Sequence, residues 1–396
     1  MTPPQVAGRV PLAGFYLLYF GSVGITLPFL PAYLRSLALS TTQVGVLLAL
    51  SPLASLVAPP LWGHLADRTG RLSRVLTVIA LGTALCFAPL LSVDTFPALL
   101  VTLAAYACFA SSVTPMVDSL ALIHVARTGG SYAHLRLFGS LGFILSSTSF
   151  GLLAQRVDRS AIVVAVAFLT ALSVWSLLLN SQTPRGVTPH PLAGLRLLRE
   201  HKDLRWLLAA TCLHWIACAP YNGMLAIHIL ALGLPPSVVG LSAGLGVAAE
   251  VAAMFLYPRF AERIAPRHLL CIAFVLSALR WGGMALVSSP IPLVALNLLH
   301  AATFGIFYVS AVAFVARRVP EHLRASGQGL YTAVTIGIGG LIGYTSVGAG
   351  YSLLGGGHAL FAVAGGLDIL AAVLVLQASS ATAPIPPLET IPPSRP

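Results

Sequence analysis

Four charged side chains, Asp118, Glu250, Arg280 and Asp368, stand deep inside long runs of apolar residues. If those runs cross a bilayer, each charge near the middle costs ~2.5–3.5 kcal/mol on insertion scales and needs a partner or a task. Asp118 lies nine residues before Arg127, which at helical rise is ~13 Å from the end of its run. Glu250 lies nine before Arg259, at matching depth. Burial raises a carboxylate's proton affinity towards neutrality, the property that proton coupling requires. Asp118, Glu250, Arg280 and His300 are therefore candidates for proton coupling. Each also has a plainer reading: Asp118 paired with Arg136, Glu250 paired with Arg280. Asp368 reads as structural.

Polar and aromatic side chains gather at helical spacing near these charges. Ser111 and Thr114 share a helical face with Asp118. His214, Tyr221 and Asn222 fall on one face at i, i+7 and i+8, and Asn297, His300, Phe304 and Phe307 form another stripe. Tyr16, Tyr19 and Phe20 make an aromatic group near the N-terminus. A histidine there binds a carboxylate or passes a proton near neutral pH. Aromatic walls suit an aromatic or sugar solute, and aromatic residues also merely pack. These residues are candidate lining for a substrate cavity.

Other chemistry is not encoded. The glycines at 337, 339, 340 and 343 sit within an apolar run with no preceding strand, and read as close helix contact instead of a phosphate loop. No nucleophile elbow, Walker sequence or metal-ligand spacing occurs. We therefore expect neither an enzyme nor a bound metal or cofactor. Cys86, Cys108, Cys212, Cys218 and Cys271 all fall inside apolar runs and read as small packed residues.

The elements that must position these groups follow from composition. Charged residues are 8% of the 396 and apolar ones 57%, against ~25% charged in soluble domains. The apolar runs are long and do not alternate, so they are spanning helices and not barrel strands. Spans are expected at 12–34, 42–62, 74–93, 96–125, 137–156, 160–181, 205–229, 237–258, 268–288, 293–316, 326–350 and 358–378. Residues 182–204 read as a linker with a basic amphipathic stretch, Leu192 to Lys202, suited to a membrane surface. The Pro-rich residues 379–396 read as a disordered tail. The net charge of +11 comes from basic residues spread over short loops, which argues against nucleic acid. With the N-terminus inside, only Arg35, Arg156 and Arg159 of the 22 basic residues fall outside, Arg280 being within a span. The basic-loop bias thus places both termini in the cytoplasm.

The two halves repeat. Asp67-Arg68 in the loop after the second span is matched 195 positions on by Glu262-Arg263 after the eighth. Residues 1–181 and 205–378 are thus expected to be two pseudo-symmetric six-helix halves of an all-α membrane protein. A solute site between such halves is the layout of an alternating-access transporter.

The stretch carrying Gly63, Asp67, Arg68, Gly70 and Arg71 resembles the loop 2–3 signature of the major facilitator superfamily. The resemblance implies that this loop latches the halves on the cytoplasmic side in the outward-facing state, and that spans 1, 4, 7 and 10 line the cavity. Glycines allow a tight turn, and Asp67 suits a helix N-terminus. Thr114 to Leu122, Tyr132 to Phe143, Leu299 to Gly305, Ala249-Glu250 and Gly327 to Tyr331 are similar to the phenylpropionate permease group, related to lactose permeases and nucleoside symporters. Ala133 departs from that group's usual glycine. This similarity implies proton-coupled uptake of a small organic solute, such as 3-phenylpropionate, by a monomer in the inner membrane. Efflux, or sugar or nucleoside symport on the same fold, is the alternative. A membrane enzyme or sensor is disfavoured, since no catalytic cluster or signalling domain is visible.

Overall fold

The computed structural model describes residues 7–180, 202–320 and 323–378. Among them are helices and turns, with no strand. The first half holds α1 (Arg9–Ser36), α2 (Thr41–Ser55, then Ala58–Thr69), α3 (Leu72–Phe87 with the 3-10 turn Ala88–Leu91), α4 (Phe96–Thr128), α5 (Tyr132–Leu153) and α6 (Arg159–Ser176). The second holds α7 (Lys202–Ala219, a π turn Pro220–Met224, then Leu225–Ala231), α8 (Pro236–Ala261) and α9 (Pro266–Leu286). It continues with α10 (Pro290–Ala295, a 3-10 turn Leu296–Leu299, a π turn Ala301–Ile306 and Phe307–Arg318). It ends with α11 (Arg324–Thr332, a π turn Ala333–Gly339 and Gly340–Leu353) and α12 (Gly357–Leu376). Eleven of these are long and apolar enough to cross a membrane as single stretches. The remaining one, α7, is more polar, with His214, Tyr221, Asn222 and His228 within its length.

Local chemistry sets the boundaries. Ser40 and Gln43 form a reciprocal capping box at the start of α2. Asp158 caps α6 by accepting from the Ser160 N–H at 2.9 Å. Proline opens α8, α9 and α10, where its missing N–H costs nothing. Gly70 ends α2 at φ +64°, a left-handed conformation that favours glycine.

Within the first half, α1 packs on α5 and α6, and α3 on α4; within the second, α12 packs on α7 and α9. The halves meet through α5 against α8 and α2 against α11. Both seams are tight at the end of the bundle remote from the termini. There the last turn of α5 meets the first of α8: a Cβ on Gly151 would stand 2.8 Å from the Gly240 Cα. The first turn of α2 meets the last of α11 in the same way, with Thr41 Oγ1 2.8 Å from Ser352 Oγ. Towards the termini, Ala58–Thr69 packs on α3 and α4 of its own half.

Three expectations change. The loop 2–3 signature is mostly helix: Gly63 to Thr69 complete α2, and only Gly70 and Arg71 turn. Asp67 thus sits near a helix C-terminus, where the dipole disfavours an anion, and not at an N-terminus. Secondly, α5 starts at Tyr132, not at 137, which brings Arg136 inside the helix. Hydropathy misses the extra turn because Arg136 faces protein and not lipid. Thirdly, Lys202 to Leu204 belong to α7. Asp203 ties this start to the end of α10 through Arg318 at 2.9 Å. The rest of the expected linker, 182–201, and the tail, 379–396, lie outside the described residues.

Candidate functional site

A cavity of about 200 Å³ lies between the halves. The first half contributes Phe20, Val23, Leu27, Pro28 and Pro31 from α1, and Arg136, Ser140 and Phe143 from α5. The second contributes Tyr221, Asn222, Leu225 and Ala226 from α7, Val239, Ala243, Val247 and Glu250 from α8, and His300 and Phe304 from α10. Apolar and aromatic surface dominates, with a few convergent polar groups, as in most small-molecule sites.

On the second-half wall, Glu250 Oε2 lies 3.2 Å from His300 Nε2. His300 Nδ1 lies 3.2 Å from Arg280 Nη1, and Arg280 Nη2 donates to Asn297 Oδ1 at 2.6 Å. A guanidinium can only donate, so His300 Nδ1 accepts and its Nε2 carries the proton that faces Glu250. The arrangement is a line running from an acid on the cavity wall to a fully buried arginine. The expected direct pair of Glu250 with Arg280 is replaced by this bridge: the two side chains are on α8 and α9, and His300 of α10 stands between them. Arg280 also lies over the rings of Tyr221 and Trp281, at 4.1 and 4.6 Å, where the ring faces attract a cation.

The first-half wall is simpler. Tyr16 donates its hydroxyl to Asp118 Oδ1 at 2.5 Å. Arg136 lies 4.0 Å over the Phe20 ring and reaches the cavity. Among the described residues, no ion pair joins Asp118 to Arg136; the carboxylate takes the tyrosine, and the guanidinium takes the aromatic face.

A second buried cluster sits away from the cavity. His214 Nδ1 lies 2.6 Å from Asp368 Oδ1, and Trp281 Nε1 donates to Asp368 Oδ2 at 2.7 Å. His214 Nε2 donates to the Thr303 carbonyl at 2.9 Å. Both His214 and Asp368 are 0% exposed.

The expected lining residues therefore divide. Phe20, Tyr221, Asn222, Glu250, His300 and Phe304 border the cavity. Tyr16 and Arg280 stand behind its walls in contact with lining residues, and Asp118 and Asn297 bond to them from farther back. His214 and Phe307 do not: their rings pack together, centroids 4.3 Å apart, in the core of the second half. Tyr221 and Asn222 lie within the Pro220–Met224 π turn, whereas His214 lies in the regular helix before it, so the 3.6-residue count on which their shared face was based does not hold. Tyr19 donates to the Ala110 carbonyl at 3.1 Å. Ser111 and Thr114 lie on α4, which supplies no lining among the described residues; α5 and α8 stand where α4 was expected. Arg136 and Phe143 were not among the expected lining residues, although Arg136, Ser140 and Phe143 follow i, i+4, i+7. Val239, Ala243, Val247 and Glu250 form a similar stripe. Among the described residues, Asp67, Arg68 and Arg71 make no ion pair with the other half.

Comparison with known proteins agrees with this fold. The "Probable 3-phenylpropionic acid transporter" of Escherichia coli (strain K12) is 31% identical over 362 residues, 88% of this chain and 92% of that protein. The "Maltose permease" of Geobacillus stearothermophilus is 32% identical over 337 residues, 82% of this chain and 83% of that one. A solved mutant of the nucleoside transporter NupG superposes with a TM-score of 0.85 at 18% identity, covering 93% of this chain and 99% of its own. The sequence model of the MFS_1 like family matches residues 10–363. The chain is thus a multi-pass membrane transporter of small solutes, not an enzyme, and it belongs to the MFS_1 like family of the major facilitator superfamily.

Proposed function

We propose that the protein imports a small organic acid with protons by alternating access, 3-phenylpropionate being the model substrate. The observation that carries this reading is the line Glu250–His300–Arg280–Asn297. A proton arriving at Glu250 from the cavity removes the charge that balances Arg280 through His300. That change alters what holds α8, α9 and α10 together at the cavity wall. A solute bound beside Glu250 then shares its fate with the proton. Arg136 on the opposite wall offers a cation for a carboxylate, and Phe20, Phe143 and Phe304 offer surface for an apolar body. The relative described as a probable 3-phenylpropionic acid transporter supports the choice of substrate.

The basic-loop bias supports a cytoplasmic side for the termini and the loop 2–3 motif, with the protein in the inner membrane. The seams closed at the end remote from the termini then face outwards, and the state described is closed to the outside. Asp67, Arg68 and Arg71 stand away from the other half, as a latch that engages only in the outward-facing state would. Each half contributes one wall of the cavity, so a monomer suffices.

A sugar substrate is the second reading, supported by the maltose permease relative and by the hydrogen-bonding rim of Asn222, Glu250 and His300. Uptake of labelled 3-phenylpropionate and of labelled maltose into proteoliposomes, with and without an inside-alkaline gradient, tests both. Gradient-driven accumulation of the acid supports the first reading. Accumulation of maltose alone supports the second. Uptake that reverses its gradient dependence would make the protein an exporter.

A further inference from the structure

The His214–Asp368 cluster has no part in the cavity, yet one of its bonds ends on a cavity-forming element. His214 Nε2 lies 2.9 Å from the carbonyl of Thr303. Thr303 is in the middle of the Ala301–Ile306 π turn of α10. A π turn is a costly departure from the α-helix that persists where its surroundings hold it. The residues beside Thr303 are those that matter at the cavity: His300 enters the turn, and Phe304 lies within it. The turn thus presents His300 and Phe304 to the solute and Thr303 to α7. The Thr303 hydroxyl is held as well, bonding the Leu299 carbonyl at 3.1 Å with Ser277 Oγ 3.1 Å away.

The protonation of the cluster follows from its partners. A carbonyl only accepts, so Nε2 of His214 carries a proton. Nδ1 faces a carboxylate whose other oxygen is occupied by the Trp281 N–H. One further proton is shared between Nδ1 and Asp368. Every polar atom of the pair is satisfied, in a site with no exposed surface, as a buried polar network must be.

We infer that His214 is a positioning residue: with Asp368 behind it, it pins the α10 π turn through the Thr303 carbonyl and so sets the register in which His300 and Phe304 face the solute. The pin runs from α12 through α7 to α10, outside the line that handles the proton. It rests on the proposed role of His300, but its structural consequence is measurable without any solute.

The distinguishing variant is Asp368→Asn. Asparagine donates from its amide to Nδ1 of a neutral His214 and still accepts from Trp281, leaving Nε2–H on Thr303. It removes the charge and keeps the pin. Asp368→Leu and His214→Phe remove the pin. The experiment is amide hydrogen exchange of the full chain in nanodiscs over residues 297–308, with α4 as a control for folding, alongside uptake. We expect Asp368→Leu and His214→Phe to speed exchange in 297–308 at least tenfold, leave α4 protected and raise KM severalfold. Asp368→Asn restores both. Unchanged exchange in the two unpinned variants overturns the inference. So does an Asp368→Asn protein that keeps its protection but loses uphill uptake, since the pair would then be carrying a proton itself. If uptake fails in every protein including the wild type, the importer reading falls and the exchange result still decides the pin.

Discussion

The two halves share a six-helix plan but hold their charges differently. In the first half the polar groups near the cavity, Asp118 and Arg136, are partly exposed, and they are served by a tyrosine hydroxyl and an aromatic face. Its cavity-lining helices, α1 and α5, are unbroken. In the second half Arg280, Asn297, His300, His214 and Asp368 are each buried to within 6% exposure, joined in two networks that span α7, α8, α9, α10 and α12. That half also carries the π turns, in α7, α10 and α11. Buried charges need many fixed partners, and π turns offer a helix a second register. On the proposed import mechanism, the first half is a stable platform and the second half carries the proton-sensitive, adjustable wall.

That assignment breaks first at Glu250. Glu250→Gln removes the acid but preserves shape. We expect uphill accumulation to fall to the level of simple equilibration, while exchange of internal for external solute persists. If Asp118→Asn does this instead and Glu250→Gln does not, the coupling acid is in the first half and the comparison is inverted. The next largest effect is expected at the seam. Gly151→Leu places a side chain against the backbone of Gly240, and wedges the remote end of the bundle open. Reactivity of a cysteine introduced at Ala243, measured with an impermeant reagent from that side, should rise by at least tenfold; unchanged reactivity would mean that the halves do not hinge there. Tyr16→Phe sharpens the platform side. It deprives Asp118 of a charge-assisted bond worth about 1.5–3 kcal/mol, and should raise KM by about tenfold without uncoupling uptake.

The smallest effect lies outside the bilayer. Hydrogen bonds from Ser160, and after them Arg156, hold the Asp158 carboxyl below its usual range. Its native proton affinity is therefore lower than its unfolded one, so its contribution is present above the unfolded value and is lost as pH falls through the native one. Asp158→Ala should cost at most about 1 kcal/mol, since the cap is exposed. A thermal melt in detergent reads it, and the difference between mutant and wild type should vanish in acid.

What the sequence disclosed follows the same division. Spans were legible because lipid tolerates only long apolar runs, and Glu250, Arg280 and His300 because polarity within such a run is conspicuous. The bridge by His300 was not, since sequence spacing says nothing about which of three helices stands between the other two. Arg136 was read only as a partner for Asp118 because hydropathy began its helix too late, although its stripe with Ser140 and Phe143 was there to be counted. His214 was assigned to the cavity because a uniform 3.6-residue turn was carried into a π turn. Sequence reading by periodicity is safest in the regular first half and weakest in the second, where the backbone departs from the period.

The most direct test of the account is proton movement itself. A pH-sensitive dye trapped in proteoliposomes, with no imposed gradient, reports the lumen as 3-phenylpropionate is added outside. The account predicts that the lumen acidifies with the wild-type protein, in proportion to solute taken up and beyond the rate in protein-free vesicles, and stays at the protein-free rate with Glu250→Gln. Solute uptake by the wild type without any protein-dependent acidification would contradict it.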